Sequence, residues 1–213
     1  MQFDLQNMSP LARLTFLTGT VVPRPIALVT TISASGACNA APYSFFGIAG
    51  IDPPVVTITV LPTPDGKMKD TGANILATGE FVVNLVSEEL AEAMNVTCID
   101  APFGTDELVL AGLRTSPSVK VRPVRIADSP VSLECSVHSK MPLSDNQVLV
   151  VGNIVQAHVA DQYVIDPKEP AFDTPAFRLV GAMHGAKWYA KLSDRFEMER
   201  PTWAEWVRQG KVK

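Results

Sequence analysis

Seventeen prolines and thirteen glycines are spread along a chain of 213 residues. Proline removes a ladder donor and glycine favours turns, so the chain is cut into short elements, as a β-barrel or sandwich requires. Between the breaks lie runs that read as strands: Ile26–Ile32, Val55–Leu61, Phe81–Val86, Val131–Met141, Val148–Ala160 and a shorter one near Phe177–Val180. Val131-Ser-Leu-Glu-Cys-Ser-Val-His alternates with period two, the mark of a strand with one wet face. Val55–Val60 is apolar and β-branched, which predicts burial on both sides. Helical signals are fewer. Met8–Thr18 carries Ser9 as cap and Pro10 at the first helical position. Asp70–Thr78 is closed by Gly79, and Ser87–Val96 has Ser87 as its cap with Glu88 and Glu89 behind it. Thr202-Trp-Ala-Glu205 has capping-box spacing, with Gly210 as its stop. No repeat or linker divides the chain. The expectation is one domain over residues 1–213, mainly β with peripheral helices, its residues 187–213 forming a peripheral helical tail.

Composition narrows the function classes. A net charge of −4 argues against a nucleic-acid binder, which needs a basic surface to neutralise phosphates. No apolar run reaches about 18 residues, so no membrane span is expected. Asp4 and Arg13 interrupt the N-terminal apolar residues, unlike a signal peptide, and a cytoplasmic location is the expectation. The three cysteines, Cys38, Cys98 and Cys135, are odd in number and lack C-x-x-C spacing, against a disulfide framework or a zinc knuckle. Cys135 alternates with Leu133 and Val137 as a buried strand residue would. If the two long strands pair as a hairpin, His138 lies near Val151 and His158 near Ser132, roughly 20 Å apart at ~3.3 Å per residue. They cannot share a metal in that sheet. Neither a Gly-x-Ser-x-Gly elbow nor a G-x-G-x-x-G fingerprint occurs. No catalytic side chain and no metal ligand is assigned.

Two segments carry the chemistry. Asn39-Ala-Ala-Pro-Tyr-Ser-Phe-Phe46 reads as an irregular loop, because Pro42 cannot donate to a ladder. It is either a packed corner or the wall of a flat, partly polar ligand. Lys69-Asp-Thr-Gly-Ala-Asn74 stands where a helix begins, and helix N-termini receive anions. Lys69 adds charge, Thr71 and Asn74 add neutral donors, and Gly72 would let a ligand approach the backbone. The alternative is a capped surface helix with a solvated lysine. Of Thr30 and Thr31, only one side chain can face a given pocket. Arg24, between Pro23 and Pro25, is aimed at a ligand or at a carboxylate. His184, between Gly181 and Gly185, is the one histidine considered near a site. Trp188, Trp203 and Trp206 cluster near the C-terminus, for packing, a subunit contact or a ligand.

Pro23-Arg-Pro-Ile-Ala27, Asn39–Phe46 and Asp52-Pro-Pro-Val-Val56, in this order, resemble the flavin reductase-like family of FMN-binding split β-barrels. Lys69-Asp-Thr-x-x-Asn-Ile75, Glu80-Phe-Val-Val-Asn84 and Phe103-Gly-Thr-Asp-Glu-Leu108 continue the match, with Ala111-Gly-Leu113 and Ser129–Cys135 after them. The resemblance covers about residues 15 to 190 and is closest to reductase components of two-component monooxygenases. It implies a Greek-key-like split barrel, a homodimer, and FMN near the subunit interface, with FAD as the alternative. Carried over by position, Thr30, Thr31, Asn39, Ala41, Ser44 and Phe45 would line the flavin, with Arg24 assisting. Lys69, Asp70, Thr71 and Asn74 would hold the ribityl-phosphate end. NADH or NADPH would supply hydride to the flavin, and a partner monooxygenase is implied as an acceptor. Relatives carry Arg-Leu-Gly-Gly where this chain reads Arg178-Leu-Val-Gly-Ala-Met-His184, which leaves the role of His184 open. Two other readings remain: an FMN-binding electron carrier reduced by a protein partner, and a non-enzymatic dimeric scaffold.

Overall fold

The computed structural model describes residues 1–63 and 65–209. Seven antiparallel strands build the main sheet: β1 (Ala27–Ile32), β2 (Cys38–Tyr43), β3 (Phe46–Ile51), β4 (Pro54–Val60), β5 (Glu80–Leu85), β6 (Val131–Ser144) and β7 (Gln147–Val159). Their order is β2-β1-β5-β6-β7-β4-β3. The two edge strands, β2 and β3, are consecutive in the chain and joined only by Ser44 and Phe45. Across that corner the Thr59 N–H donates to the Phe45 carbonyl at 2.9 Å, so the sheet curls until its edges meet at one end. A small outer sheet pairs Arg24–Pro25 with β8 (Val180–Ala182), and β8 with β9 (Tyr189–Lys191).

The helices are α1 (Pro10–Thr20), α2 (Asp70–Thr78), α3 (Ala91–Val96), α4 (Glu107–Leu110) and α5 (Trp203–Arg208). Local chemistry sets their ends. The Ala12 N–H donates to Ser9 Oγ at 3.2 Å, and Pro10 opens α1. Gly79 takes a left-handed φ of 73° and donates to the Ile75 carbonyl, a conformation glycine adopts without a Cβ penalty. Thr202 and Glu205 form the expected capping box; Gly210 lies outside the described residues.

Two apolar layers follow from the period of β1. Ala27 and Val29 face the barrel interior with Val56, Ile58, Val60, Phe81 and Val150. Ile26 and Leu28 face outward beneath α3 and α4, against Leu90, Met94, Leu108 and Ile126. Phe81 fills the interior beside Gly152, where an added Cβ would stand 2.4 Å from the Phe81 ring.

Several expectations are corrected. Asn39–Phe46 is mostly strand, because β2 is an edge strand and Pro42 needs no outward donor there. The strand expected near Phe177–Val180 starts at Val180, after a 3-10 turn over Thr174–Phe177. Helix α3 begins a turn later than Ser87, which instead bridges to Leu179. On β4 the inner face is sealed, while on the outer face Val55 is buried and Thr57 and Thr59 are partly exposed. The long hairpin pairs His158 with Ser132, and Val151 lies opposite Ser139 beside a bulge at His138.

Candidate functional site

The N-terminus of α2 lies against the barrel because a buried amide network pulls it there. Asn39 Nδ2 donates to Thr71 Oγ1 at 2.9 Å and to Thr31 Oγ1 at 3.3 Å, and Asn74 Nδ2 donates to Thr31 Oγ1 at 3.0 Å. All four residues are buried. Gly72 completes the fit. Its added Cβ would stand 2.5 Å from Met68 Sδ and 3.1 Å from Val60, so its smallness serves helix-to-barrel packing rather than a ligand.

Above this network a cavity of about 250 Å³ is lined by Asn39, Lys69, Asp70, Thr71, Glu107 and the Cys98–Ala101 loop. Lys69 is the N-cap of α2, and its side chain makes no cap bond. Asp70 is held by the Gly104 N–H, which donates to Oδ2 at 2.9 Å. Glu107 is buried and accepts the Ala40 N–H at 3.0 Å. Burial pushes its pKa up, and the neighbouring Asp70 and Asp106 charges add to that; the Ala40 and Glu107 amides oppose it. The Tyr43 hydroxyl is buried near Thr71, Asp70 and Glu107 yet meets no hydrogen-bond partner among the described residues, and burial raises its pKa.

A second cavity of about 230 Å³ abuts the first at Cys98 and is lined by Arg24, Pro42, Ser44, Asn95, Trp188 and Tyr189, with Gly185 and Ala186 closing it. Arg24 is fixed there. Its Nε donates to Ser44 Oγ at 3.2 Å, Nη1 to the Thr18 and Val21 carbonyls, and Nη2 to the Met183 carbonyl. It therefore meets neither a carboxylate nor open solvent, and burial lowers its pKa. One guanidinium thus ties α1, the β2–β3 corner and the β8–β9 turn together. His184 is exposed on that turn and stacks on Trp188 with ring centroids 5.7 Å apart.

The geometry sorts the expected residues. Asn39, Lys69, Asp70 and Thr71 line the first cavity, and Arg24 and Ser44 the second. Thr31 and Asn74 stand behind the wall and position Asn39 and Thr71 through hydrogen bonds. Thr30 points to the opposite face, where its hydroxyl donates to the Val124 carbonyl; the strand's period of two makes that necessary. Ala41 packs against the barrel interior, and Phe45 lines neither cavity, its carbonyl accepting the Thr59 N–H at the corner. Cys38 is half-buried, and burial raises its pKa, the reverse of an activated thiolate. Sequence reasoning missed Cys98 and Glu107 as wall residues, although Phe103–Leu108 was already a motif, and it left Trp188 open between packing, a subunit contact and a ligand. Among the described residues no cluster of His, Cys, Asp and Glu could hold a metal ion.

Residues 18–169 match the family model for the flavin reductase like domain, and the chain belongs to that family. It is 39% identical over 212 residues to an uncharacterized protein of Deinococcus radiodurans, covering 97% of this chain and 92% of the relative. Among solved structures it is similar to the Pseudomonas fluorescens 2-nitrobenzoate 2-nitroreductase NbaA, with a TM-score of 0.86 and 32% identity over 95% of this chain and 98% of that one. It is also similar to nitrilotriacetate monooxygenase component B from Bacillus cereus, with a TM-score of 0.86 and 28% identity over 93% and 98% of the two chains. A split barrel from Shewanella frigidimarina shares the fold, with a TM-score of 0.79 and 20% identity over 94% of this chain and all of that one. The architecture is thus that of the split-barrel flavin reductases, and the chain is a flavin reductase-like oxidoreductase.

Proposed function

We propose that this chain binds FMN across the two joined cavities and reduces it with NADH or NADPH. One observation carries the reading. An anion-receptive helix start with Lys69 lines one of two cavities that share Cys98 in their walls, and aromatic and amide groups line the other. The residues fit a flavin of that polarity. Lys69 and the first amides of α2 would hold the phosphate. Trp188, Tyr189 and Pro42 would flank the ring system, with Ser44 offering a hydroxyl. Hydride acceptance is the chemistry the flavin supplies when bound. The protein's own contribution is alignment and exclusion of water, and no general acid or base is demanded of it.

A third cavity of about 570 Å³ shares Asn95, Ala186 and Tyr189 with the second and adds Lys187 and Lys191. Glu88 and Glu92 line it too, with Lys191 Nζ 2.7 Å from Glu88, so its charge is balanced. It supports a nicotinamide dinucleotide as hydride donor by its size and its place beside the second cavity. An apolar groove of about 760 Å³, which includes Phe46, Ile48 and Ile51, supports a homodimer. Ile48 and Ile51 are 80% and 90% exposed in one chain. Similarity to a monooxygenase component supports a partner oxygenase as acceptor, in the cytoplasm. No helix among the described residues is long and apolar enough to cross a membrane.

The placement is tested by FMN titration of the Lys69→Ala variant, with folding checked by circular dichroism. Loss of one charge-assisted contact, about 1.5–3 kcal/mol, predicts a Kd raised at least tenfold. An unchanged Kd refutes the phosphate position.

A further inference from the structure

The first cavity poses an electrostatic problem for the ligand assigned to it. Its walls carry one cation, Lys69, and three carboxyl groups, Asp70, Asp100 and Glu107. A phosphate in a cavity with that balance meets more negative than positive charge. Asp70 is partly compensated by the Gly104 amide. Glu107 is different, for it is more than nine-tenths buried. Its Oε2 accepts the Ala40 N–H at 3.0 Å, and its own backbone amide lies close enough to act on the carboxyl group as well. Glu107 lines the cavity, and Oε1 is the oxygen that does not bond Ala40.

We propose that Glu107 is a positioning residue that holds its proton and donates it, as a hydrogen bond from Oε1, to the phosphate of the bound flavin. The proposal rests on the flavin reading above. In this state Oε2 still accepts the Ala40 amide, and the proton stays on the carboxyl group throughout. A neutral carboxylic acid supplies a donor where a carboxylate would only repel. The groups around it point the same way. Asp70 faces it from α2, Asp106 from its own segment, Asp100 and Cys98 from the loop after α3, and Tyr43 from β2. Among the described residues Lys69 is the one cation on the cavity wall, and burial itself disfavours the charged form of Glu107.

The sign follows from linkage. Glu107 has a raised pKa, so its protonated form and the affinity that depends on it are present at low pH and lost as pH rises through that value. The test is FMN affinity, read by quenching of flavin fluorescence, from acid to alkaline pH for the wild type and for Glu107→Gln. The carboxamide keeps an acceptor for Ala40 and a permanent donor for the phosphate. The wild-type Kd should rise by up to tenfold per pH unit above the pKa of Glu107, while the variant lacks that rise and binds more tightly than the wild type at alkaline pH. Ionisation of the phosphate itself is common to both proteins and cancels in their ratio. Riboflavin, which has no phosphate, should bind both proteins with the same pH profile; a difference there overturns the assignment. FMN binding with parallel profiles in the two proteins overturns this proposal and leaves the flavin site standing. No FMN binding by either protein at any pH overturns both.

Discussion

At the scale of single residues, smallness does more here than conformational freedom. Gly152 has an ordinary backbone, yet it is fixed by the Phe81 ring that crosses the barrel above it. Phe81 is fully buried among β-branched residues and has nowhere to retreat. Overpacking such a site costs about 1–3 kcal/mol, so Gly152→Ala should lower unfolding free energy by that amount in a urea titration. A variant as stable as the parent would show that the barrel interior has slack. Gly72 is similar, and here a reading from sequence alone misled: a glycine at a helix start suggests a ligand, but this one touches Met68 and Val60. The polar residues were more legible. Lys69 and Thr71 were singled out by residue type and Asn39, Asp70 and Ser44 by the family resemblance, and all five line the two cavities. Thr31 and Asn74 were also singled out but act from behind the wall. Cys98 and Glu107 could not be assigned to that wall, because long-range closure, such as the Ala40–Glu107 contact across 67 residues, brings them to it and no local pattern encodes that.

At the scale of elements, the strands with strong periodicity were legible and the edges were not. The β6–β7 hairpin was readable from alternation, including the pairing of His158 with Ser132. β2 and β3 were hidden because proline, glycine and small residues resemble a loop, and only their place at the sheet edge makes them strands. A different logic docks the segment over residues 117–123. Glu134, fully buried on β6, accepts the Val119 and Lys120 amides at 2.8 and 2.6 Å and lies 2.6 Å from His158 Nε2. Burial pushes the Glu134 pKa up, but these partners outweigh it and hold it below the ordinary carboxylate range. A depressed folded value means that this stabilisation is complete above the ordinary pKa, about 4.3. It is lost as pH falls from there through the folded value. Glu134→Ala should therefore cost about 3–5 kcal/mol at neutral pH, with the difference from the parent shrinking as pH falls below about 4. Denaturant unfolding across that range checks it, and a difference that stays constant to low pH contradicts an ionised anchor.

For the whole molecule, the barrel, the outer sheet and α1 converge on one residue, Arg24, which lines the second cavity, while the two cavities share Cys98. The fold class was legible because proline and glycine spacing cuts the chain into short elements outside the long β6–β7 hairpin and because several short motifs keep their order. The site as a whole was not, because it is assembled from a helix start, an edge strand, a loop and a late hairpin. The flavin reading makes one demand of that assembly: it must bind FMN and accept hydride there. The direct measurement is the visible absorption spectrum of the purified protein with FMN, taken without oxygen, before and after addition of NADH and then NADPH. The reading predicts a flavin spectrum perturbed by the protein and bleached by at least one of the two nicotinamides. A colourless protein that leaves the FMN spectrum unperturbed, or bound FMN that neither nicotinamide bleaches, would contradict it.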